Sequence, residues 1–140
     1  MVCLAIISKQ LAIKDCNKAI EMNPQDAEAY IDRGRAYYGL GNYQQAIKDC
    51  NKAIELNPQN AEAYIGRGLA YGKLGNYHQA IKDYNRAIEL NPQDALTYTS
   101  RGLAYLKLGN HRRAINDFKI AARLGDEISQ DFLKSKGIVW

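Results

Sequence analysis

Apolar and small residues along the chain recur at helical spacing in short blocks, each closed by a backbone-breaking pair. Between 27 and 40, Tyr30, Gly34 and Tyr37 fall at i, i+4 and i+7, which predicts a helix over roughly Ala27 to Leu40. Gly41-Asn42 interrupts it, as Gly75-Asn76 and Gly109-Asn110 do later. A second stripe follows at Ala46, Ile47, Cys50, Ala53 and Ile54, which predicts a helix from about Gln44 to Leu56. Asn57-Pro58 ends it, because proline disfavours helix at the residue before it; Asn23-Pro24 and Asn91-Pro92 repeat the device. Each block therefore reads as a hairpin of two antiparallel helices.

A longer period lies over the helical one. Segments 27–60 and 61–94 differ at 8 of their 34 positions, and a more divergent copy begins at Ala95 and runs to about Ile128. Half a unit precedes them, with Leu11 to Pro24 nearly repeating Gln45 to Pro58. The expected division is 1–26 as an N-terminal helix standing for a second helix alone, 27–60, 61–94 and 95–125 as three repeats, and 126–140 as a capping helix and tail, all in one continuous domain. The cap should run from about Asp126, its N-cap, to Lys136, with Gly137 as stop and Ile128, Phe132 and Leu133 on its apolar side. Nothing from Val2 to Met22 breaks a helix, so one long N-terminal helix is expected, and the missing first helix points to a truncated array or an unusual gene.

Composition narrows the class. The chain has 140 residues, 46% hydrophobic and 24% charged, with 3 prolines, too apolar for disorder. No apolar run approaches the ~18–20 residues of a membrane span, and the apolar start has neither a basic region nor a cleavage pattern of a secretory signal. A net charge of +4 does not by itself imply nucleic acid. Cys3, Cys16 and Cys50 make no paired framework, which favours a reducing, cytoplasmic setting.

These residues resemble the tetratricopeptide repeat, a 34-residue pattern of large aromatic, Gly, Tyr, Ala, aromatic, Ala and Pro at fixed offsets. The matches are Tyr30, Gly34, Tyr37, Ala46, Cys50, Ala53 and Pro58; Tyr64, Gly68, Tyr71, Ala80, Tyr84, Ala87 and Pro92; and Tyr98, Gly102, Tyr105, Ala114, Phe118 and Ala121. The resemblance covers about 11–128. It implies an all-α fold, a right-handed superhelix of stacked antiparallel hairpins, and binding of another polypeptide along the concave face.

In such a hairpin, residues equidistant from the turn face each other: Tyr37 opposite Ala46, Gly34 near Asp49 and Cys50, Tyr30 near Ala53. Large meets small at each level. Arg33, Arg67 and Arg101 recur on the first helices, and Asp15, Asp49, Asp83 and Asp117 on the second, so each arginine can reach an aspartate of its own or the preceding hairpin. The aspartate left over reveals which pairing operates.

Candidate chemistry is sparse. His78 and His111 sit at or just after turns and should be exposed, and no phosphate loop, nucleophile elbow or paired-carboxylate motif occurs, so neither an enzyme nor a metal or cofactor is expected. Four of the eight differences between the near-identical repeats, Asp32/Gly66, Arg35/Leu69, Tyr38/Gly72 and Gly39/Lys73, line one stripe of the first helix. By the resemblance that stripe lines the groove, which gives as candidates Glu28, Ile31, Asp32, Arg35 and Tyr38; Glu62, Ile65, Leu69 and Lys73; and Leu96, Thr99, Leu103, Leu106 and Lys107. Family members that grip a terminal carboxylate carry Lys and Asn where this chain has Ile31, Ile65, Thr99, Arg35, Leu69 and Leu103, so that clamp is not supported. The leading expectation is a non-catalytic scaffold or adaptor binding a protein or peptide, without nucleic acid or membrane. The alternative is a structural module that forms a homodimer through Val2, Leu4, Ile6 and Ile7 of the N-terminal helix.

Overall fold

The computed structural model describes residues 2–140; Met1, counted with the N-terminal segment above, lies outside the described residues. The described residues form eight helices and no strand: α1 (Val2–Met22), α2 (Ala27–Gly39), α3 (Tyr43–Leu56), α4 (Ala61–Lys73), α5 (Tyr77–Leu90), α6 (Ala95–Lys107), α7 (His111–Arg123) and α8 (Glu127–Ser135). Helices neighbouring in sequence pack in space, and α2 also touches α4, as α4 touches α6. The result is an α-solenoid of stacked hairpins.

Each hairpin turn is a glycine device. Gly41 adopts φ +78°, where a Cβ would be strained, so its N–H reaches the Tyr38 carbonyl while the Asn42 N–H reaches that of Tyr37. Asn42 then caps the next helix, its side chain accepting from the Gln45 N–H. The Asn-Pro turn between repeats is tied down by aromatics: the Tyr30 and Tyr64 hydroxyls donate to the carbonyls of Pro24 and Pro58.

Inside a hairpin the two helices meet through large-on-small contacts. A Cβ on Gly68 would sit 2.7 Å from the Tyr84 ring, and one on Gly102 would sit 2.8 Å from the Phe118 ring. In the first repeat the facing side chain is the smaller Cys50, and a Cβ on Gly34 would meet backbone and Asp49 at 3.3 Å instead. Burial pushes the Cys50 thiol up to about 12, so it behaves as a small apolar side chain.

Each arginine pairs with the aspartate of its own hairpin and takes an asparagine, not an aspartate, from the preceding helix. Arg33 donates Nε to one Asp49 oxygen (2.9 Å) and a terminal nitrogen to the other (2.6 Å), while its remaining nitrogen reaches Asn17 of the preceding helix (2.8 Å). Arg67 repeats this with Asp83 and Asn51, and Arg101 with Asp117 and Asn85. The carboxylate partner raises each guanidinium's pKa against the opposing effect of burial, so the charge is held. Each arginine also lies over the tyrosine three positions before it, 5.6–5.7 Å from the ring centre. The forked guanidinium thus fastens a hairpin internally and to its predecessor. Asp15 is the aspartate left over, exposed and without a cation partner among the described residues.

The two ends differ. At the C-terminal end Lys119 stands where Asn17, Asn51 and Asn85 do, and Leu133, seventh in α8 as Arg101 is in α6, is fully buried in place of an arginine. Ile138 and Trp140 fold back against the same core cluster. The apolar side expected for α8 needs one correction: Ile128 is 71% exposed, because no element among the described residues covers that face, whereas Leu133 and Phe132 pack inward. At the other end α1 runs unbroken, since Ile7 and Ser8 replace the Gly-Asn turn, and none of its residues is buried.

Candidate functional site

Two adjoining hollows open between the first helices. One, about 430 Å³, is lined by Ile31, Arg35 and Tyr38 of α2, Glu62, Ile65, Gly66 and Leu69 of α4, Leu96 at the start of α6, and Asp94 beside it. The other, about 380 Å³, is lined by Tyr38, Leu69, Gly72, Lys73, Tyr77, Tyr84, Ser100, Leu103 and Lys107. Tyr38 and Leu69 border both, forming the ridge between them.

Helical spacing creates these hollows through residues that are missing rather than present. Gly66 and Gly72 stand where the first repeat has Asp32 and Tyr38 and the third has Ser100 and Leu106. A Cβ at Gly66 would come 3.2 Å from the Cys50 sulfur, and one at Gly72 would lie 3.9 Å from the Tyr84 hydroxyl. The middle repeat is therefore cut away at two levels, with the buried Cys50 and Tyr84 side chains as the floors. Burial raises the pKa of Tyr84, so its hydroxyl remains a neutral hydrogen-bond donor.

Of the fourteen candidate residues, Ile31, Arg35, Tyr38, Glu62, Ile65, Leu69, Lys73, Leu96, Leu103 and Lys107 line a hollow, with Leu96 and Leu103 about half exposed. Glu28 and Asp32 are exposed at the margin: Glu28 accepts from the Asn60 side chain and Asp32 from Arg35. Three placements need correction. Ile31 is only 4% exposed, packed with Tyr30, Ala53 and Ala63, so it contributes floor rather than an open contact. Thr99, also 4% exposed, lies under α8, hydrogen-bonded to Asp126 and Ser129 at 3.0 Å each. Leu106 packs into the core cluster of α7 and α8. The common cause is that these side chains face a neighbouring element that spacing along one helix does not reveal. Gly66, Gly72, Asp94, Tyr77, Tyr84 and Ser100 line the hollows without having been picked out, and the glycines were legible as members of the variable stripe.

Arg35 donates to Asp32 (3.1 Å) and to Glu62 (3.2 Å), bridging α2 to α4 across the rim of the first hollow. Nothing among the described residues groups three or more His, Cys, Asp or Glu as metal ligands. His78 and His111 are both exposed.

Comparison with known families agrees with this architecture. Tetratricopeptide repeat profiles match residues 61–94 and, in two further stretches, 16–48 and 83–116, and a related TPR profile matches 34–75. The chain belongs to the tetratricopeptide repeat family. No curated protein sequence matches this tetratricopeptide repeat chain significantly. Among solved structures, it is similar to a crystal structure of MamA at 29% identity and a TM-score of 0.76, over 81% of this chain and 66% of that one. It is also similar to the first TPR of Spaghetti (RPAP3) bound to the HSP90 peptide SRMEEVD, at 26% identity and a TM-score of 0.75, over 79% of this chain and 90% of that one. The second TPR of the same protein, bound to the same peptide, matches at 31% identity and a TM-score of 0.70, over 76% and 98%. The chain thus spans slightly less than two thirds of the MamA chain. The family and fold support a protein-interaction module, and no described helix is long and apolar enough to cross a membrane.

Proposed function

We propose that the face formed by α2, α4 and α6 is a concave groove that binds a peptide or protein segment, and that the chain acts as a non-catalytic scaffold or adaptor. The observation that carries this reading is the pair of adjoining hollows, whose lining includes Arg35, Tyr38, Gly66, Leu69, Gly72 and Lys73 of the stripe that differs between otherwise near-identical repeats. Contact of α2 with α4 and of α4 with α6 supports first helices on the inner side of the curve. Half-exposed Leu96 and Leu103, with Ile65 and Leu69 behind them, suit alternating apolar anchors of a bound segment. The peptide-bound RPAP3 domains supply a precedent for the fold in such a role. Three unpaired cysteines favour the cytoplasm as the setting.

The test is selection of a peptide-display library on the chain, followed by binding of the selected peptides to the L96E/L103E variant. Both leucines are half exposed, so stability should change by only about 0.5 kcal/mol per site, while binding is lost. Retained binding by a folded L96E/L103E overturns the groove assignment. The same reading excludes nucleic acid as partner, and oligonucleotide titration at low ionic strength checks that.

Self-association through α1 is the second reading, favoured by a specific contrast. Ala46, Asp49, Cys50 and Ala53 of α3 are buried, whereas Ala12, Asp15, Cys16 and Ala19, at the same register in α1, are exposed or half exposed. Val2, Leu4, Ile6 and Ile7 continue that uncovered surface. Light scattering on the intact chain, compared with one beginning at Lys9, decides it: a monomer in both cases removes self-assembly.

A further inference from the structure

The two hollows differ in charge. The first is bordered by Glu62 and Asp94, with Asp32 beside it, and its single cation, Arg35, is already tied to Asp32 and Glu62. No carboxylate lines the second. Lys73 and Lys107 do, along with the phenols of Tyr38, Tyr77 and Tyr84 and the Ser100 hydroxyl. Among the described residues neither lysine has a carboxylate within 4.0 Å, unlike every arginine of the first helices. A lysine in the last turn of a helix is favoured by the helix dipole. That alone does not account for these two, because Gly39 fills the corresponding place in α2. Two uncompensated ammonium groups therefore face one hollow, beside hydroxyl donors and next to an apolar pocket.

We propose that the groove takes its segment in one polarity, with an apolar side chain in the first hollow and, a few residues along, an aspartate or glutamate side chain held between Lys73 and Lys107. This rests on the groove reading above and adds the chemistry that the occupant must carry. The two hollows share Tyr38 and Leu69, so anchor and acid lie close together in the bound sequence. The carboxylate would gain charge-assisted hydrogen bonds from the lysines while neighbouring hydroxyls fill its remaining lone pairs. The acidic rim at the Glu62 end would repel the same group, and that repulsion sets direction.

The test is one random, unphosphorylated peptide-display library selected in parallel on the full chain and on K73E/K107E, with circular dichroism to show equal helicity. The chain should enrich peptides pairing an apolar residue with a nearby Asp or Glu, and the variant should enrich Lys or Arg at the acidic place. A synthetic copy of the best peptide with its acid changed to the amide should bind the chain roughly tenfold more weakly and lose most of its dependence on salt. Enrichment of apolar residues without an acid, or equal binding of acidic peptides to K73E/K107E, overturns the proposal while leaving the groove reading intact. Tighter binding of a synthetic copy carrying phosphoserine at that place than of the acidic peptide overturns the choice of carboxylate. Failure of the folded chain to enrich any peptide overturns the groove reading, and this inference with it.

Discussion

Replacing Arg67 by alanine perturbs the ladder that holds successive hairpins in register. The guanidinium makes two bonds of 2.7–2.9 Å to Asp83, whose side chain is almost wholly buried, and a third of 2.8 Å to Asn51 of the preceding hairpin. Breaking a fully buried pair costs about 3–5 kcal/mol, because the remaining charge is stranded. Arg67 keeps about a fifth of its side chain in solvent, so water reaches the pair and the cost drops to roughly 2–3 kcal/mol. Contact with the Tyr64 ring contributes to that figure. For a chain of this length the expected fall in Tm is roughly 6–10 °C. The assay is a double-mutant cycle of R67A and D83A followed by urea denaturation, with an expected coupling of about 2 kcal/mol. Asp15 supplies the internal control: it shares Asp83's register but is exposed and unpaired, so D15A should cost no more than about 0.5 kcal/mol. If R67A costs no more than D15A, or the coupling falls below about 0.5 kcal/mol, the ladder does not set the register and that reasoning fails.

Three further outcomes are expected. Gly68→Ala places a methyl 2.7 Å from the Tyr84 ring and should destabilise by about 1–3 kcal/mol, whereas Gly72→Ala has room, should stabilise α4 by about 0.5 kcal/mol through helix propensity, and should weaken peptide binding by filling the hollow; equal effects of the two on thermal unfolding would contradict the packing described. Burial raises the pKa of Asp126, but hydrogen bonds from the Ser129 hydroxyl and amide and from Thr99 outweigh it and hold the carboxyl below its ordinary value. A depressed folded value means that the stabilisation is present above the unfolded pKa of about 3.9 and is lost as pH falls through the folded one. Fluorescence of Trp140, the single tryptophan, should therefore report cap release in acid, and D126A should weaken the cap by about 1 kcal/mol at pH 7; an unchanged D126A is the opposing result. Thiol labelling at pH 8 should modify exposed Cys3 first and Cys50 only on unfolding, and rapid labelling of Cys50 in the native chain would contradict its burial.

Much of the fold was legible because local and global signals agree: Gly-Asn and Asn-Pro pairs mark the ends, and each Tyr or Gly on a first helix has its complement at a fixed distance beyond the turn. The arginine partners were only half legible. The choice posed between aspartates was answered by the arginine's own hairpin, but one guanidinium has nitrogens to spare, and the second tie to the preceding helix, through Asn17, Asn51 and Asn85, was not foreseen. The candidate groove was legible as a stripe but not in its width. Ile31 and Leu69 both line the first hollow, yet Ile31 is buried in the core between repeats while Leu69 stays partly exposed on the ridge. Thr99 could not be placed without the cap, because the hydrogen bonds that bury it come from Asp126 and Ser129, 27 and 30 positions away. Ile128 misled for the opposite reason: its apolar side chain lies on a helix face that none of the described elements covers.

The central claim, that the α2–α4–α6 face grips a polypeptide, is tested most directly by backbone amide shifts of the isotopically labelled chain titrated with a library-selected peptide. The account predicts the largest changes at Leu69, Gly72, Lys73, Leu96, Leu103 and Lys107. Changes concentrated instead on the outer surfaces of α3, α5 and α7, or on α1, would contradict it.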